Sequence, residues 1–570
     1  MKKREKKKSS GLPDPKPLAP ISREMVKGLF ALSGSELLNR ILQQEHPQYL
    51  VQRMDRVDFF WLVKKIGEEG SLPLLRMASL EQWQYLLDME LWQRDRLSLD
   101  QTTIWLGRLQ EAAPKRLVKW LYSDGRLLAH YYFFNKILVE ITEKDEASDL
   151  PEGFFTIDDL YYIRILDKEN ERVIANLIRQ LAQEDYDRYQ SLLLSLAGVL
   201  PDEVEEEIYR LRNVRLAEDG FLPVDDAISV YSYLKADSLK VKDSPHKLQF
   251  PIEEENETLV PISPFSHAPD NNLLTETAES MTDVLFLDRV RLEFAGLCNQ
   301  IFSADGLRVE NLEDLIRVCR KAAGYLNMGL DSLSGGNIKL SEGLLKDNPL
   351  IAIFRVGFGL ALELKWEAER WLKEAWFMGQ AFKPVFWGDD WGGILVGLLQ
   401  KRPRLFSGFG EEEEFKDFEQ LSEVEDCRSI LHRLMVLDRL LEIVTAKYPL
   451  EKDTIKDPLL SFHPLLFNFW ARRQLRFEPG FATLSLEQVR DLFRLLRAKS
   501  KKPPYQMPGF KDIFIEAFMS YASDLEPHDR PLLKETLFML WEKFLAEYAW
   551  VATADLDERF ARFVLIRPSS

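Results

Sequence analysis

The chain has 570 residues, of which 46% are hydrophobic and 29% are charged. These proportions are typical of globular proteins and exclude a chain that is disordered over most of its length. Because one hydrophobic core rarely organises so many residues, we expect about three or four lobes, or one extended repeat array.

Charge is distributed unevenly along the sequence. The net charge is −17, yet the opening stretch MKKREKKKSS holds six basic residues and one acidic residue, so the remainder stands at −22. Residues 1–24 are therefore interpreted as a disordered basic and Pro-rich tail. The acidic body argues against a nucleic-acid partner, since neutralising phosphates requires basic surface.

Cysteine usage and hydropathy indicate a cytoplasmic protein. Three cysteines form no CxxC pair, so neither a disulfide framework nor a structural zinc site is expected. No apolar run follows the basic N-terminus, as it would in a signal peptide. The longest apolar stretch, PLIAIFRVGFGLALEL, has about sixteen residues, whereas a bilayer-spanning helix needs roughly twenty. We expect no stable membrane insertion.

Residues 25–235 have the three- and four-residue apolar spacing of helices, and we predict an N-terminal helical-repeat lobe there. One helix, in DRVDFFWLVKKIGEEG, should end at Gly70. The segments RLSLDQTTIWLGRL and TLSLEQVRDLFRLL open alike, with Ser98 and Ser485 each three residues before a Gln. Both predict a capping box. Their likeness indicates either reuse of one helix start in helical hairpins or coincidence.

Two β-branched and aromatic stretches interrupt the helical pattern. NKILVEITEK and GFFTIDDLYYIRIL flank polar DEASDLPE, and they predict a small β-hairpin near residues 136–166. In the helix that follows, EVEEEIYRLRNVR places acidic residues before basic ones, which is typical of an exposed helix with ion pairs.

The second half of the chain begins after a change of composition. Residues 236–280 include several prolines and little periodicity, so they predict a linker or a strap over the surface. Residues 281–570 return to helical spacing and are predicted to form a C-terminal helical lobe. The expected fold is mainly α: a multi-lobe helical-hairpin array with a small β-hairpin insertion.

Two resemblances accompany these patterns. The run FFWLVKKIGEEGSLPLLRMASLEQWQYLLDMELWQRDRLS is similar to the helical-repeat cytosolic domain of magnesium transporters, although no transmembrane helices follow it and transport is not implied. The segments RLRNVRLAEDGF, FRVGFGLALEL and GYLNMGLDSL resemble an uncharacterised bacterial family known only as a domain of unknown function. That resemblance implies no activity and no functional residues.

Arg355 is the first candidate site residue, because it interrupts an apolar helix that contains Gly357 and Gly359. A buried guanidinium must be paired. It is therefore either salt-bridged across a helix contact or part of an anion-binding site. The two glycines weaken a helix, which indicates that another helix or a ligand approaches the backbone there.

The segment KPVFWGDDWGGILVGLLQKRP supplies the other candidates. Asp389 and Asp390 precede an apolar helix and are flanked by Trp387 and Trp391. The two carboxylates either cap that helix and interact with its dipole, or they line an aromatic-walled pocket for a cation or for acid–base chemistry.

The sequence favours a non-enzymatic function, because it contains no G-x-S-x-G elbow and no H-E-x-x-H helix. We expect no catalytic residues, no cofactor and no metal. The preferred hypothesis is a cytoplasmic helical scaffold or adaptor that binds another protein. The alternative is an enzyme or a sensor of small molecules or anions, with a pocket in the C-terminal lobe around Arg355, Asp389 and Asp390. The oligomeric state stays open.

Overall fold

A computed structural model describes most of the chain. The described residues are 23–142, 152–196, 203–239, 263–269, 272–306, 309–411, 413–451, 460–497, 502–557 and 562–567. All but the last two residues of the predicted tail, and residues 240–262 and 270–271 of the predicted linker, lie outside the described residues.

The protein is mainly α-helical, as predicted. Its helices, in chain order, are α1 (Arg23–Phe30), α2 (Gly34–Leu42), α3 (Pro47–Arg53), α4 (Arg56–Ile66), α5 (Leu72–Met77), α6 (Leu80–Glu90), α7 (Leu99–Ala112), α8 (Pro114–Leu121), α9 (Arg126–Lys136), α10 (Glu171–Glu184), α11 (Tyr186–Leu196), α12 (Val204–Ala217) and α13 (Val224–Ala227). They continue with α14 (Ser263–Ser266), α15 (Leu273–Ser280), α16 (Val284–Asp305), α17 (Leu312–Ser334), α18 (Ile338–Asp347), α19 (Leu350–Leu372), α20 (Trp376–Gly379), α21 (Gly388–Leu399), α22 (Leu421–Lys447), α23 (Phe462–Gln474), α24 (Leu486–Leu496), α25 (Phe510–Met519) and α26 (Asp529–Tyr548).

The strands are short and form small antiparallel sheets. They are β1 (Trp92–Gln93), β2 (Arg96–Leu97), β3 (Ile137–Ile141), β4 (Phe155–Thr156), β5 (Tyr161–Ile165), β6 (Leu405–Phe406) and β7 (Phe415–Lys416). Within the described residues, short 3-10 turns occur at Glu69–Ser71, Ile228–Tyr231, Ala236–Ser238, Pro384–Trp387, Ala522–Asp524 and Thr553–Asp555.

Packing divides the chain into two compact units. The first comprises residues 1–232, 237–326 and 336–354, and the second comprises residues 233–236, 327–335 and 355–570. The boundary falls within α17 and again within α19. The first unit therefore includes α1–α16, α18 and β1–β5, while the second includes α20–α26, β6 and β7.

The predicted β-hairpin is confirmed and carries a third strand. β3 pairs with β5, so that Val139 lies opposite Ile163, and β4 pairs with the other edge of β5 through Phe155. Ile137, Val139, Ile163 and Ile165 are all buried. Because side chains alternate between the faces of a strand, one face of this sheet packs inward.

The two similar helix starts are built differently. The Ser485 hydroxyl accepts a bond from the Gln488 backbone N–H (3.2 Å), and the Gln488 side chain accepts one from Ser485 N–H (2.7 Å), which is a complete capping box. Ser98 accepts the equivalent bond from Gln101, but its own N–H donates to the Leu91 carbonyl at 2.7 Å. That donation closes the β1–β2 hairpin, so only half of the predicted box forms at Ser98.

Helix α4 ends earlier than predicted. Its last residue is Ile66, and Gly67 follows with φ +89°, a conformation that favours glycine. The Gly67 N–H donates to the Val63 carbonyl at 3.0 Å. Gly70, the predicted stop, lies in the next 3-10 turn.

The second unit is organised around stacked aromatic rings. Phe467 of α23 stacks against Phe514 of α25 and Phe544 of α26, with centroid distances of 4.6 and 4.5 Å. Asn468 exchanges two hydrogen bonds with the backbone of Leu565, at 2.9 and 3.2 Å. The chain segment near the C-terminus is thereby fixed to this core.

The longest apolar stretch of the sequence lies in α19. Within the described ranges, no helix is both long enough and apolar enough to cross a bilayer.

Candidate functional site

Asp389 and Asp390 lie in the first turn of α21, where negative charge interacts favourably with the helix dipole. Both side chains are exposed. Asp390, whose side chain is 80% exposed, lies 4.0 Å from the Lys543 ammonium. An exposed pair at this distance contributes little to stability.

Trp387 and Trp391 are buried core residues that share one neighbour. The centroid of the Phe462 ring lies 5.4 Å from each of them. Lys543 approaches the face of Trp391 at 5.6 Å. The structure therefore brings Trp387, Trp391 and Asp390 close together, but it places the tryptophans in a packed core and the carboxylate on the surface.

Arg355 is half-buried in α19 and has an interaction partner. The sequence predicts that another helix or a ligand approaches the backbone at the nearby glycines. At Gly359 the approaching segment belongs to this chain. A Cβ on Gly359 would lie 3.2 Å from the Tyr233 ring and 3.4 Å from the Leu234 carbonyl. Tyr233 also donates a hydrogen bond of 2.8 Å to Glu363. The glycine thus accommodates an extended segment, residues 233–235, rather than a helix.

Two buried titratable groups of the second unit were not predicted as site residues. Burial lowers the pKa of His463 to about 3, and no described residue accepts or donates a hydrogen bond at its Nε2. Burial raises the pKa of Asp438 to about 6, although this carboxylate accepts N–H bonds from Trp376 and Phe377 at 2.8 and 3.0 Å. The His463 ring contacts the Phe462 and Phe563 rings, with centroid distances of 3.8 and 4.8 Å.

A cavity of about 460 Å³ lies in the first unit. None of the five predicted site residues lines it. Its apolar lining consists of the aromatic residues Trp92, Tyr209, Phe221 and Phe302 and the aliphatic residues Met89, Leu222, Val224 and Val309. Its polar lining consists of Gln93, Arg94, Arg212 and Ser303, with Gly306 beside them.

The β1–β2 hairpin and α12 build one wall of this cavity. Trp92 of β1 lies 5.3 Å from Tyr209 of α12, centroid to centroid. The hairpin turns at Arg94, whose φ of +59° is unusual for a residue with a side chain. Arg94 is exposed, so it places a positive charge at the rim.

The opposite wall is fixed by a close approach of α16 to the turn after α12. Gly220 has φ +83°, and a Cβ there would lie 2.6 Å from the Cα of Gly296. Asn299 of α16 also donates a hydrogen bond of 2.7 Å to the Asp219 carbonyl. These contacts set the position of Phe221 relative to Phe302.

Arg212 is the charged group of the cavity wall, and its hydrogen-bond partners are neutral. Its Nε donates to the Asp88 backbone carbonyl at 2.7 Å, and its Nη1 donates to the Asn213 side-chain oxygen at 3.1 Å. Its guanidinium lies 5.7 Å from the centre of the Trp92 ring. Burial lowers the pKa of the guanidinium, and the nearby Asp88 carboxylate opposes that shift.

The carboxylate nearest to Arg212 is occupied by another arginine. Asp88 forms two hydrogen bonds with Arg215, at 2.6 and 2.7 Å. Burial raises the pKa of Asp88, while the Arg215 guanidinium opposes that shift. Among the described residues, Arg212 forms no ion pair, and the three groups together carry one net positive charge.

Across the described ranges, no group of three His, Cys, Asp or Glu side chains has a geometry that could hold a metal ion.

The sequence did not identify the cavity. The stretch containing Arg212 and Arg215 is predicted to be an exposed, ion-paired helix. This is wrong for Arg212, which bonds to the Asp88 backbone carbonyl in α6. Arg215 is ion-paired, but its partner is Asp88 of α6 and not a neighbour on its own helix. A signal was present: Tyr209, Arg212 and Leu216 recur at helical spacing and so share one face.

Comparison with known proteins places the chain in a family. No curated protein and no solved structure matches it. The resemblance of its N-terminal part to magnesium transporters stays a prediction. A family profile matches residues 17–567, and the chain therefore belongs to the family of unknown function DUF6178.

Proposed function

We propose that this chain is a cytoplasmic binding protein whose first unit holds a small organic molecule in the cavity between β1, α12 and α16. The lining supports the proposal, because it combines apolar and aromatic side chains with a few polar groups, as ligand sites do. The volume of about 460 Å³ is within the usual range for such sites. The small-molecule hypothesis thus moves from the predicted C-terminal pocket to the first unit.

Binding is favoured over catalysis by the composition of the wall. The described residues that line the cavity include no carboxylate, imidazole or thiol. These are the groups that most often transfer protons or attack substrates. The site would therefore bind a ligand without converting it. The surrounding helices would change conformation in response to the bound ligand.

A cavity-filling variant tests this proposal. Ser303 of α16 lines the cavity, and Trp in its place should occupy the space that a ligand needs. We expect a thermal-shift screen of small organic molecules to find compounds that stabilise the wild-type protein. A ligand at 100 times its dissociation constant adds about 2.7 kcal/mol of stability. The Ser303→Trp variant should not respond to those compounds.

Leu292→Trp is the matched control, since Leu292 lies on the same helix and is exposed outside the cavity. Its response should equal that of the wild type. The proposal is contradicted if no compound stabilises the wild type, or if Ser303→Trp responds equally.

A second candidate is the scaffold function, in which another protein docks on the first unit. It is supported by exposed apolar side chains in and beside the three-stranded sheet. These are Leu138, Ile141, Ile157, Leu160 and Leu166. Apolar patches on a surface often mark protein interfaces. The partner would present a complementary apolar surface.

Charge substitution separates this candidate from the first. We expect Leu138→Glu to abolish cross-linking of a stoichiometric partner in cells, because burying a new carboxylate is costly. Leu340→Glu, at an exposed position of α18, should retain the partner. Recovery of the same partner with Leu138→Glu, or of none with the wild type, would exclude this surface.

A further inference from the structure

The donors of Arg212 are only partly used by the protein. A guanidinium has five N–H groups in a planar fork, and the bonds to Asp88 and Asn213 use two of them. No nitrogen of Arg212 is both buried and without a partner. The Nη2 group, which forms neither bond, is therefore accessible at the cavity wall, and Nη1 retains one further N–H group.

These remaining donors match two oxygens of one anionic group. The two Nη atoms present parallel N–H bonds at the end of the fork, an arrangement that pairs with both oxygens of a carboxylate. Such a pairing would also supply the negative charge that Arg212 lacks.

The local charge favours a monoanion. Arg212 and Arg215 contribute two positive charges and Asp88 contributes one negative charge, which leaves +1 at the wall. A dianion would need a second cation inside the cavity, but the next lining cation, Arg94, is exposed at the rim.

The rest of the wall favours a planar ring. Four of the lining residues are aromatic, and the adjacent rings of Trp92 and Tyr209 are tilted by 49° relative to each other. Aromatic pairs gain energy from offset or edge-to-face contacts beyond simple burial. An aliphatic chain would fill the space without making these contacts.

We propose that the cavity binds an aromatic carboxylate, with the carboxylate paired to the Nη atoms of Arg212 and the ring packed against Trp92 and Tyr209. This inference rests on the proposed small-molecule function and names its ligand class. The Asp88–Arg215 pair has a supporting role, because it keeps the nearest carboxylate from neutralising Arg212.

Isothermal titration of the full chain with three probes of equal ring size tests the ligand class. The probes are 2-naphthoate, neutral 2-naphthylmethanol and the dianion 2-naphthyl phosphate at pH 8. We expect 2-naphthoate to bind roughly 10- to 100-fold more tightly than the alcohol, which is the usual range for a charged hydrogen bond. It should also bind more tightly than the phosphate. Equal affinity of the acid and the alcohol would overturn the inference.

Arg212→Gln should remove most of the protein's preference for 2-naphthoate over the alcohol. Circular dichroism and thermal unfolding check that the variant is folded, and Arg212→Lys, which retains the charge, should recover part of the acid affinity. Arg210→Gln is the matched control, since Arg210 lies on the same helix, is exposed and pairs with Glu207. An equal effect of both Gln variants would contradict the assignment.

The outcomes also separate this inference from the proposed function. If neutral ligands stabilise the protein and Ser303→Trp blocks them, the cavity binds small molecules but the anion assignment is wrong. If none of the three probes binds, the aromatic carboxylate is excluded as a class, and the thermal-shift screen alone decides the proposed function.

Discussion

Two arginines of α12 show how the environment of one residue decides its role. Arg210 is exposed and forms two bonds of 2.7 Å with Glu207. Arg212, two positions later, lies at the cavity wall with neutral partners. Residues two positions apart on a helix point in different directions. One basic stretch therefore places Arg210 on the outer surface and Arg212 at the cavity wall. The ion-paired interpretation is confirmed for Arg210, whereas the contact of Arg212 with Asp88 spans 124 residues and leaves no local pattern.

His463 gives a prediction for stability in acid. Because burial holds its pKa near 3, well below the ordinary value of 6.5, the folded protein stays unprotonated there while the unfolded chain takes up a proton. The free energy of unfolding should therefore fall as the pH decreases from about 6.5 towards 3. His463→Phe should remove this loss, which amounts to about 2 kcal/mol between pH 7 and pH 5.

Urea unfolding of the wild type and of His463→Phe at each pH measures the effect. The quantity to compare at each pH is the difference in unfolding free energy between the two proteins, because Asp438 changes the stability of both in the opposite direction. Its pKa of about 6 is raised from 3.8, so its contribution is largest at low pH and is lost as the pH rises from about 4 to about 6. Asp438 is present in both proteins and cancels. If the unfolding free energies of the two proteins depend on pH in the same way, His463 is not the source of the loss of stability in acid.

At the scale of elements, glycines mark the places where the chain packs against a helix. In α21, a Cβ on Gly392 would lie 2.5 Å from the Pro384 carbonyl, and one on Gly393 would lie 2.6 Å from the Phe406 ring. These glycines allow a 3-10 turn and β6 to approach one helix.

Alanine substitution in α21 tests this packing role. Gly392→Ala should destabilise the second unit by about 1–3 kcal/mol, because backbone must move to admit the methyl group. Gly379→Ala in α20 is the control, since nothing lies within 4 Å of its Cβ position. That change should be neutral or slightly stabilising, because alanine favours helix. Equal urea midpoints for the two variants would show that the close contact at Gly392 does not contribute to stability.

Local patterns predicted elements well wherever the neighbours in sequence decide the structure. The capping box at Ser485 and the strands near residues 136–166 are confirmed. The prediction at Ser98 was half wrong, because the Leu91 carbonyl, at the base of the preceding β1–β2 hairpin, accepts its N–H. A motif specifies which bonds an element can form, but contacts outside the motif decide which of them it does form.

For the whole molecule, the sequence predicted the mainly helical class and the small sheet, because apolar periodicity alone sets both. The sequence could not show which helices pack together into the same hydrophobic core. The predicted C-terminal lobe starts at residue 281, whereas α16, α18 and parts of α17 and α19 pack in the first unit. An apolar stripe shows that a helix is buried without showing against which partner.

The same reason explains why the candidate site lay beyond sequence reasoning. The predicted residues Arg355, Trp387, Asp389, Asp390 and Trp391 were chosen for their unusual local composition. The cavity assembles residues of α6, β1, α12, the turn before α13, and α16. Each of these segments is ordinary by itself, and only their packing brings four aromatic rings and a guanidinium together.

A crystal structure of the protein with 2-naphthoate bound tests the central claim most directly. We predict one molecule in the first unit, its carboxylate oxygens about 2.7–2.9 Å from the Nη atoms of Arg212 and its ring against Trp92. An empty cavity with the molecule bound elsewhere, for example beside Asp389 and Asp390, would contradict the claim.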